Sequence, residues 1–272
     1  FKAAQISLGA LGIIASVTLQ AVPSYRLDYR WSREQLADTL NNLVPEYTTT
    51  RNFEFYAFPH SPWAWVKRIN RTDEAAQPHT IMRKLNDVVI ENGVFWLMCE
   101  VCRRVPQLTP RIAKLTGNII SSGRSINNSH QIFASQRSVC FHEMEYNLPI
   151  EALADTVRTI HELIEREHIR VNFPIECRVV RGDDIDLSPA YGRDSAYIAV
   201  HMYQKMPYQD YFRRVEAIFR ERGGRPHWGK MHTLTASDLR ALYPRWEHFA
   251  AIRRQLDPAG VFQNAYLRSL LG

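Results

Sequence analysis

The chain has 272 residues, 45% of them hydrophobic, 11% aromatic and 23% charged. That composition fits one large folded domain or two small ones and excludes a disordered tail, a collagen-like rod and a small disulfide scaffold. Lys and Arg number 34 against 28 Asp and Glu, a net charge of +6. The charges are scattered, so the excess favours an anionic partner only mildly and no nucleic acid is expected. The chain starts at Phe1 and enters directly into apolar sequence, so it reads as the C-terminal portion of something longer.

Residues Ala3 to Tyr25 carry no formal charge, which raises a membrane span. Gln5, Ser7, Gly9, Gly12, Ser16, Thr18 and Gln20 interrupt the apolar run, and Pro23 closes it. Ile14, Ser16, Thr18 and Gln20 alternate with Ala15, Val17, Leu19 and Ala21, which is strand period. A glycine-rich turn feeding a buried strand is expected. The basic start and cleavage site of a signal peptide are missing.

Tyr25 to Trp31 alternates again, and Ser32 is placed to cap a helix running to about Val44. Strands are expected over Asn52 to Phe58 and Val66 to Asn70, then a polar loop from Arg71 to His79. Helical spacing follows over Thr80 to Arg104, with a break near Asn92-Gly93, and over Leu108 to Asn118. Ser121 to Gln136 reads as loop. Cys140 to Asn147 alternates, with Phe141, Glu143, Glu145 and Asn147 on one side, and Glu151 to His168 has the clearest helical stripe. Strands at Val171 to Arg181 and Tyr197 to Gln204 precede a helix from Tyr208 to Arg222, which Gly223-Gly224 ends. A last helix is expected from about Leu242 to Leu256. Strands and helices interleave without a βαβ rhythm, so the fold class is α+β, a large antiparallel sheet flanked by helices.

The cysteines are Cys99, Cys102, Cys140 and Cys177. Cys99-Glu-Val-Cys102 has metal-pair spacing, but no second pair completes a zinc set, and its apolar surroundings favour plain packing.

Three groups of residues can carry chemistry. Glu176 and Arg178 lie two apart on a strand and so share a face, where the carboxylate can aim the guanidinium at a substrate oxygen. The plain alternative is a surface ion pair. Tyr197, Ala199, His201 and Tyr203 line one face of the next strand, opposite Ile198, Val200 and Met202. His201 is then a ligand-facing group or a satisfied structural histidine. His227-Trp-Gly-Lys230, with His232 beyond, offers a proton relay, a flat aromatic, a thin backbone and a fixed cation; alone, it is equally a surface loop.

These pieces resemble one family in order. Glu176-x-Arg178, the His201 strand, His227-Trp-Gly-Lys-x-His232 and Asp257-Pro-Ala-Gly-Val-Phe-Gln-Asn264 look like the FAD-linked sugar-1,4-lactone oxidases of the vanillyl-alcohol-oxidase type. Glu143-Met-Glu-Tyr146 resembles that family's Glu-Met-Glu-Tyr strand, and Ala4 to Leu19 the end of its FAD-binding domain. The resemblance implies three parts: residues 1–24 as that end, 25–225 as a substrate (cap) domain, and 226–272 as a segment returning to the flavin. It implies FAD as cofactor, approached by the backbone of Gly9, Leu11, Gly12 and Ile14 and by His227 and Lys230. Glu176, Arg178, His201 and Lys230 become the catalytic set. Arg178 and Lys230 would face the developing oxyanion, Glu176 would hold Arg178, and His201 or His227 would accept a proton or orient a hydroxyl. The implied substrate is an aldono-1,4-lactone of the D-arabinono or L-gulono type, with oxygen or another electron acceptor. An alditol oxidase and a non-redox binding module, including a polyanion binder, are the alternatives. A cytoplasmic site is implied, with peripheral membrane association left open. Tyr203 stands where the family pattern has a smaller hydroxyl residue; facing the substrate, it would narrow the pocket.

Overall fold

The computed structural model describes residues 1–77, 92–133 and 138–271. Among them, eight strands form one sheet: β1 (Arg26–Gln35), β2 (Asn52–Ala57), β3 (Trp63–Thr72), β4 (Gly123–Asn128), β5 (Phe141–Pro149), β6 (Ile175–Val180), β7 (Ser195–Tyr203) and the two-residue β8 (Arg225–Pro226). They lie in the order β4-β1-β3-β2-β6-β7-β5-β8, and every adjacent pair is antiparallel. The α+β expectation holds.

The period of two sorts the central strands into two faces. Phe53, Phe55, Val66, Ile175, Cys177, Ile198, Val200, Met144, Tyr146 and Leu148 are all buried in the core. Against that face lie the helices Leu153–Arg166, which buries Leu153, Val157, Ile160 and Ile164, and Gln209–Glu221, which buries Phe212, Val215 and Phe219. Each fully buried aliphatic side chain contributes about 1.5–3 kcal/mol of transfer free energy, so this layer outweighs any single ion pair on the opposite face. Gly223, at φ +66°, ends the second helix, and Gly224 returns a hydrogen bond to the Phe219 carbonyl. A Cβ at Gly224 would stand 2.7 Å from that carbonyl oxygen. The chain then enters β8 beside β5.

Several expectations change. Residues 14–21 form no strand and are exposed, with Val17 at 69% and Leu19 at 82%. Alternation yields a buried strand only where a neighbouring strand and a core accept it, and none of the described strands pairs with this segment. Ser32 caps no helix, because β1 continues to Gln35 and helices follow at Leu36–Asn41 and Leu43–Thr49. The Ser32 hydroxyl instead donates to Glu34, whose carboxylate accepts from Arg68 on β3. Ser121–Gln136 is not a loop over its described part. Pairing with β1 makes residues 123–128 an edge strand, and Ser129–Phe133 is helical. Backbone pairing holds such an edge even when its side chains are polar. Residues 134–136 of that range, like 80–91 of the Thr80–Arg104 helix, lie outside the described residues; Asn92–Arg104 is helical. Pro244 separates two helices, Ala236–Leu242 and Trp246–Leu256, and a further one covers Ala265–Leu271.

Cys99 and Cys102 are buried in the core, as their apolar surroundings suggested. Burial pushes the Cys99 thiol up to about 11 and raises that of Cys102. Tyr203 is 2% exposed, and its hydroxyl donates to Glu100 Oε1 at 2.7 Å. It ties the Asn92–Arg104 helix to β7. No helix among the described residues is long and apolar enough to cross a membrane.

Ile160→Ala, at a fully buried position of the Leu153–Arg166 helix, should cost about 2–5 kcal/mol in unfolding free energy. Ile119→Ala, at a position 63% exposed, should stay within about 0.5 kcal/mol of the parent. Denaturant titration compares the two, and equal losses would contradict the layer assignment.

Candidate active site on the charged face of the sheet

Cross-strand partners share a face, so the register alone assembles the opposite side of the sheet. Glu54 stands opposite Arg178, and Tyr56 opposite Glu176. Arg178 stands opposite Tyr197, and Glu176 opposite Ala199. On β5, Asn147 faces Tyr197, Glu145 faces Ala199, and Glu143 faces His201. Residues from β2, β6, β7 and β5 thus form one polar row.

The His227–Lys230 loop completes it. After β8, the His227 amide donates to the Glu145 carbonyl at 2.9 Å, and the Met231 amide to the Glu143 carbonyl at 3.0 Å. The loop therefore follows the edge of β5. Lys230 N–H donates to the His227 carbonyl at 3.0 Å, closing a turn that brings its side chain over Glu143. Trp228 fixes the loop from behind: its indole N–H donates to the Leu187 carbonyl at 2.8 Å, and its ring lies 5.0 Å from Tyr243 and 6.4 Å from Trp246.

Two ion-paired units result. Lys230 Nζ donates to Glu143 Oε2, and His201 Nε2 lies 3.4 Å from Glu143 Oε1. Arg178 donates to Glu145 Oε1, and its Nε lies 3.6 Å from Glu176 Oε1. The carboxylates lie beneath and the cations above. The Glu145 side chain is 1% exposed and that of Glu143 14%, against 43% for Arg178 and 29% for Lys230. Burial works to raise the Glu143 carboxyl, but its contacts with His201 and Lys230 outweigh that and hold it at about 2. Burial works against the Arg178 charge, yet attraction to Glu145 and Glu176 more than restores it and keeps the guanidinium protonated. Burial, with the Glu145 charge adding, pushes the Tyr197 phenol up to about 12.

All of Glu176, Arg178, His201, His227 and Lys230 therefore meet on one face. His201 is the most enclosed. Its Nδ1 donates to the Pro174 carbonyl at 3.3 Å, and its ring lies 5.0 Å from Phe141 and 6.0 Å from Phe173. Both ring nitrogens already face protein acceptors. His227 accepts the Gly229 amide at Nδ1 at 3.1 Å, which leaves Nε2 as its N–H donor. A cleft of about 600 Å³ opens beside the loop, lined by Phe141, Glu143, Trp228, Lys230, Met231 and His232. His232 accepts the Leu234 amide at Nδ1 and donates from Nε2 to the Tyr266 hydroxyl at 2.7 Å; burial lowers its affinity for a second proton.

The glycine-rich start lies apart. Gly9 (φ +73°) and Gly12 (φ +123°) adopt the left-handed backbone that glycine favours, with open space where a side chain would be. Leu11 packs against the core and Ile14 is exposed. Among the described residues, no hydrogen bond or ion pair joins residues 9–14 to the charged face. From the sequence, Glu143 and Glu145 belong to the family-like Glu-Met-Glu-Tyr strand but carry no site role. Their alternation was visible, but only the register shows which cations they meet.

The sheet with its helical layer is a fold found in other solved structures. Cholesterol oxidase from Brevibacterium sterolicum superposes with a TM-score of 0.72 at 16% identity, over 93% of this chain and 61% of that one; that likeness concerns the fold alone. The family model for D-arabinono-1,4-lactone oxidase matches residues 17–270, and the chain belongs to that family. It is 43% identical over its whole length to an L-gulono-1,4-lactone dehydrogenase of Mycobacterium tuberculosis. It is 32% identical over 99% of its length to an L-gulonolactone oxidase of Bos taurus. The chain spans 64% and 62% of these relatives.

A carboxyl held at about 2 in the folded state and near 4.5 when free contributes stability above pH ~4.5 that is lost as pH falls toward ~2. The protein should therefore lose more melting temperature between pH 5 and pH 3 than its Glu143→Gln variant. Parallel losses in thermal scans would contradict the Glu143 pairing.

Proposed function

We propose that this chain is the substrate-facing portion of an FAD-dependent oxidoreductase that oxidises an aldono-1,4-lactone of the D-arabinono or L-gulono type. One observation carries the reading. In a chain of the lactone oxidase family, two cations, Arg178 and Lys230, stand on one sheet face, each partly exposed and each paired with a less exposed carboxylate, Glu145 and Glu143.

The residues present fit the cofactor. Lys230 puts a cation on the cleft, and Gly229 keeps the loop thin, with only the His227 ring near a would-be side chain at 3.4 Å. His227 and Lys230 would hold the ring end of FAD, and the backbone of Gly9, Leu11, Gly12 and Ile14 the rest. Bound FAD supplies the hydride acceptor. The chain's own residues do the remainder. Arg178 and Lys230 would stabilise the negative charge that develops on the substrate oxygen as its hydroxyl proton leaves to water in the open cleft and the adjacent C–H hydrogen leaves as hydride; such preorganised donors contribute about 10²–10³ in rate each. Glu176 and Glu145 hold the guanidinium in place. His227, through Nε2–H, orients a substrate hydroxyl. His201, with Nδ1 on the Pro174 carbonyl and Nε2 3.4 Å from Glu143 Oε1, packs against that carboxylate.

In this reading residues 1–24 belong to the cofactor domain, 25–225 form the substrate domain, and 226–272 return to the flavin. The partners are the lactone and an electron acceptor, oxygen or another. The protein produced with its upstream region should show flavin bands near ~375 and ~450 nm and reduce an acceptor when given L-gulono- or D-arabinono-1,4-lactone. Arg178→Ala and Lys230→Ala should each lower turnover by about 10²-fold. Missing bands, or near-normal rates in both variants, would refute the reading. Faster turnover of an alditol than of either lactone would move it to the alditol oxidases, and salt-sensitive heparin retention without flavin to a polyanion binder.

A further inference from the structure

Arg178 and Lys230 come from elements far apart in the chain, β6 and the loop after β8, and they meet only through β5. The same two β5 residues serve both. Glu145 takes Arg178 through its side chain, and Glu143 takes Lys230. The carbonyls of the same two residues accept the His227 and Met231 amides that lay the loop along the strand. Residues two apart on a strand share a face and stand about 6.6–6.8 Å apart. We propose that Glu143 and Glu145 form a rack that sets the spacing of the two cations, and that both are positioning residues for the lactone oxidation. The proposal rests on the function proposed above.

The surroundings fit this role. Glu143 lines the cleft, with its carboxylate paired to Lys230. Glu145 is nearly fully enclosed, and its Oε2 has no hydrogen-bond partner among the described residues, so Arg178 compensates its buried charge. A buried carboxylate of that kind binds its cation firmly, because losing it would leave the charge uncompensated. His201 Nε2 stands 3.4 Å from Glu143 Oε1, and Pro174, Phe141 and Phe173 hold the His201 ring. Lysine is long and flexible; a tether at its tip converts it into a preorganised donor. Rack and loop cannot drift apart, since one strand holds both by side chain and by backbone.

The test is a pair of double-mutant cycles in the flavin-loaded full-length protein, with Lys230 labelling as a second readout. Glu143→Gln should lower kcat/KM about 10-fold in the parent and less than about 2-fold in a Lys230→Met background; Glu145→Gln should behave likewise with Arg178→Met. The rate of Lys230 acetylation by acetic anhydride, followed by mass spectrometry, should rise several-fold in Glu143→Gln, because the ammonium is released; a merely structural role for Glu143 would leave it unchanged in folded protein. If Glu143→Gln does not fold, Glu143→Asp keeps the charge, withdraws it by one methylene and carries the same comparison. Additive losses, or unchanged Lys230 labelling, overturn the rack. A parent enzyme that binds flavin poorly and turns over no lactone overturns the functional reading first, and the rack's catalytic role with it.

Discussion

Charges gather on a sheet face only where strand register brings alternate residues of neighbouring strands opposite one another. Here one strand, β5, sets that register for the whole charged face. It pairs with β7 on one side and with β8 and the following loop on the other. A one-residue slip of β5 would turn Glu143, Glu145 and Asn147 into the apolar core and bring Met144, Tyr146 and Leu148 to the site. The helices Leu153–Arg166 and Gln209–Glu221 forbid that slip, because they bury the other face. Burial on one side of the sheet thus dictates which charged residues line the other.

The two sides are also joined directly. Tyr146 belongs to the buried face, and its hydroxyl donates to Glu216 on the Gln209–Glu221 helix at 2.6 Å. Glu216 also accepts the Thr233 amide at 2.7 Å and the Thr233 hydroxyl. The chain just beyond Lys230 is therefore pinned to the helical layer, while Trp228 pins it upstream through Leu187, Tyr243 and Trp246. Between the pins, the His227–Lys230 turn has little freedom. Preorganisation of this kind lets a surface lysine act as a fixed charge. An untethered one would be screened and disordered.

The central strands were legible because their alternation was strong: Phe53 and Phe55, Ile198 and Val200, Met144 and Tyr146 all point where the period of two sends them. Glu176 and Arg178 were legible for the same reason, and so was the shared face of His201 with Tyr197. Three things were not. The polar strand Gly123–Asn128 is held by backbone pairing with β1, which leaves no side-chain signal. The alternating residues 14–21 carry a strand's signal without a strand's partner. The pairing of Glu143 with Lys230 joins residues 87 apart in sequence, and only three-dimensional register reveals it. The same holds for Tyr203. Its place on the strand gave no hint of its partner, because the buried hydroxyl reaches Glu100, 103 residues away in sequence.

The central claim is that this face, rather than any other cleft, receives the substrate. A second cleft of about 450 Å³, lined by Lys2, Asp184, Asp186, Tyr191, Arg245 and His248, offers a direct rival. The most direct measurement is a crystal structure of the flavin-loaded full-length protein soaked with L-gulono-1,4-lactone under anaerobic conditions. The account predicts lactone oxygens within hydrogen-bond distance, about 3 Å, of both Arg178 and Lys230. Lactone bound at Asp186 and Arg245 instead, with the charged face vacant, would contradict it.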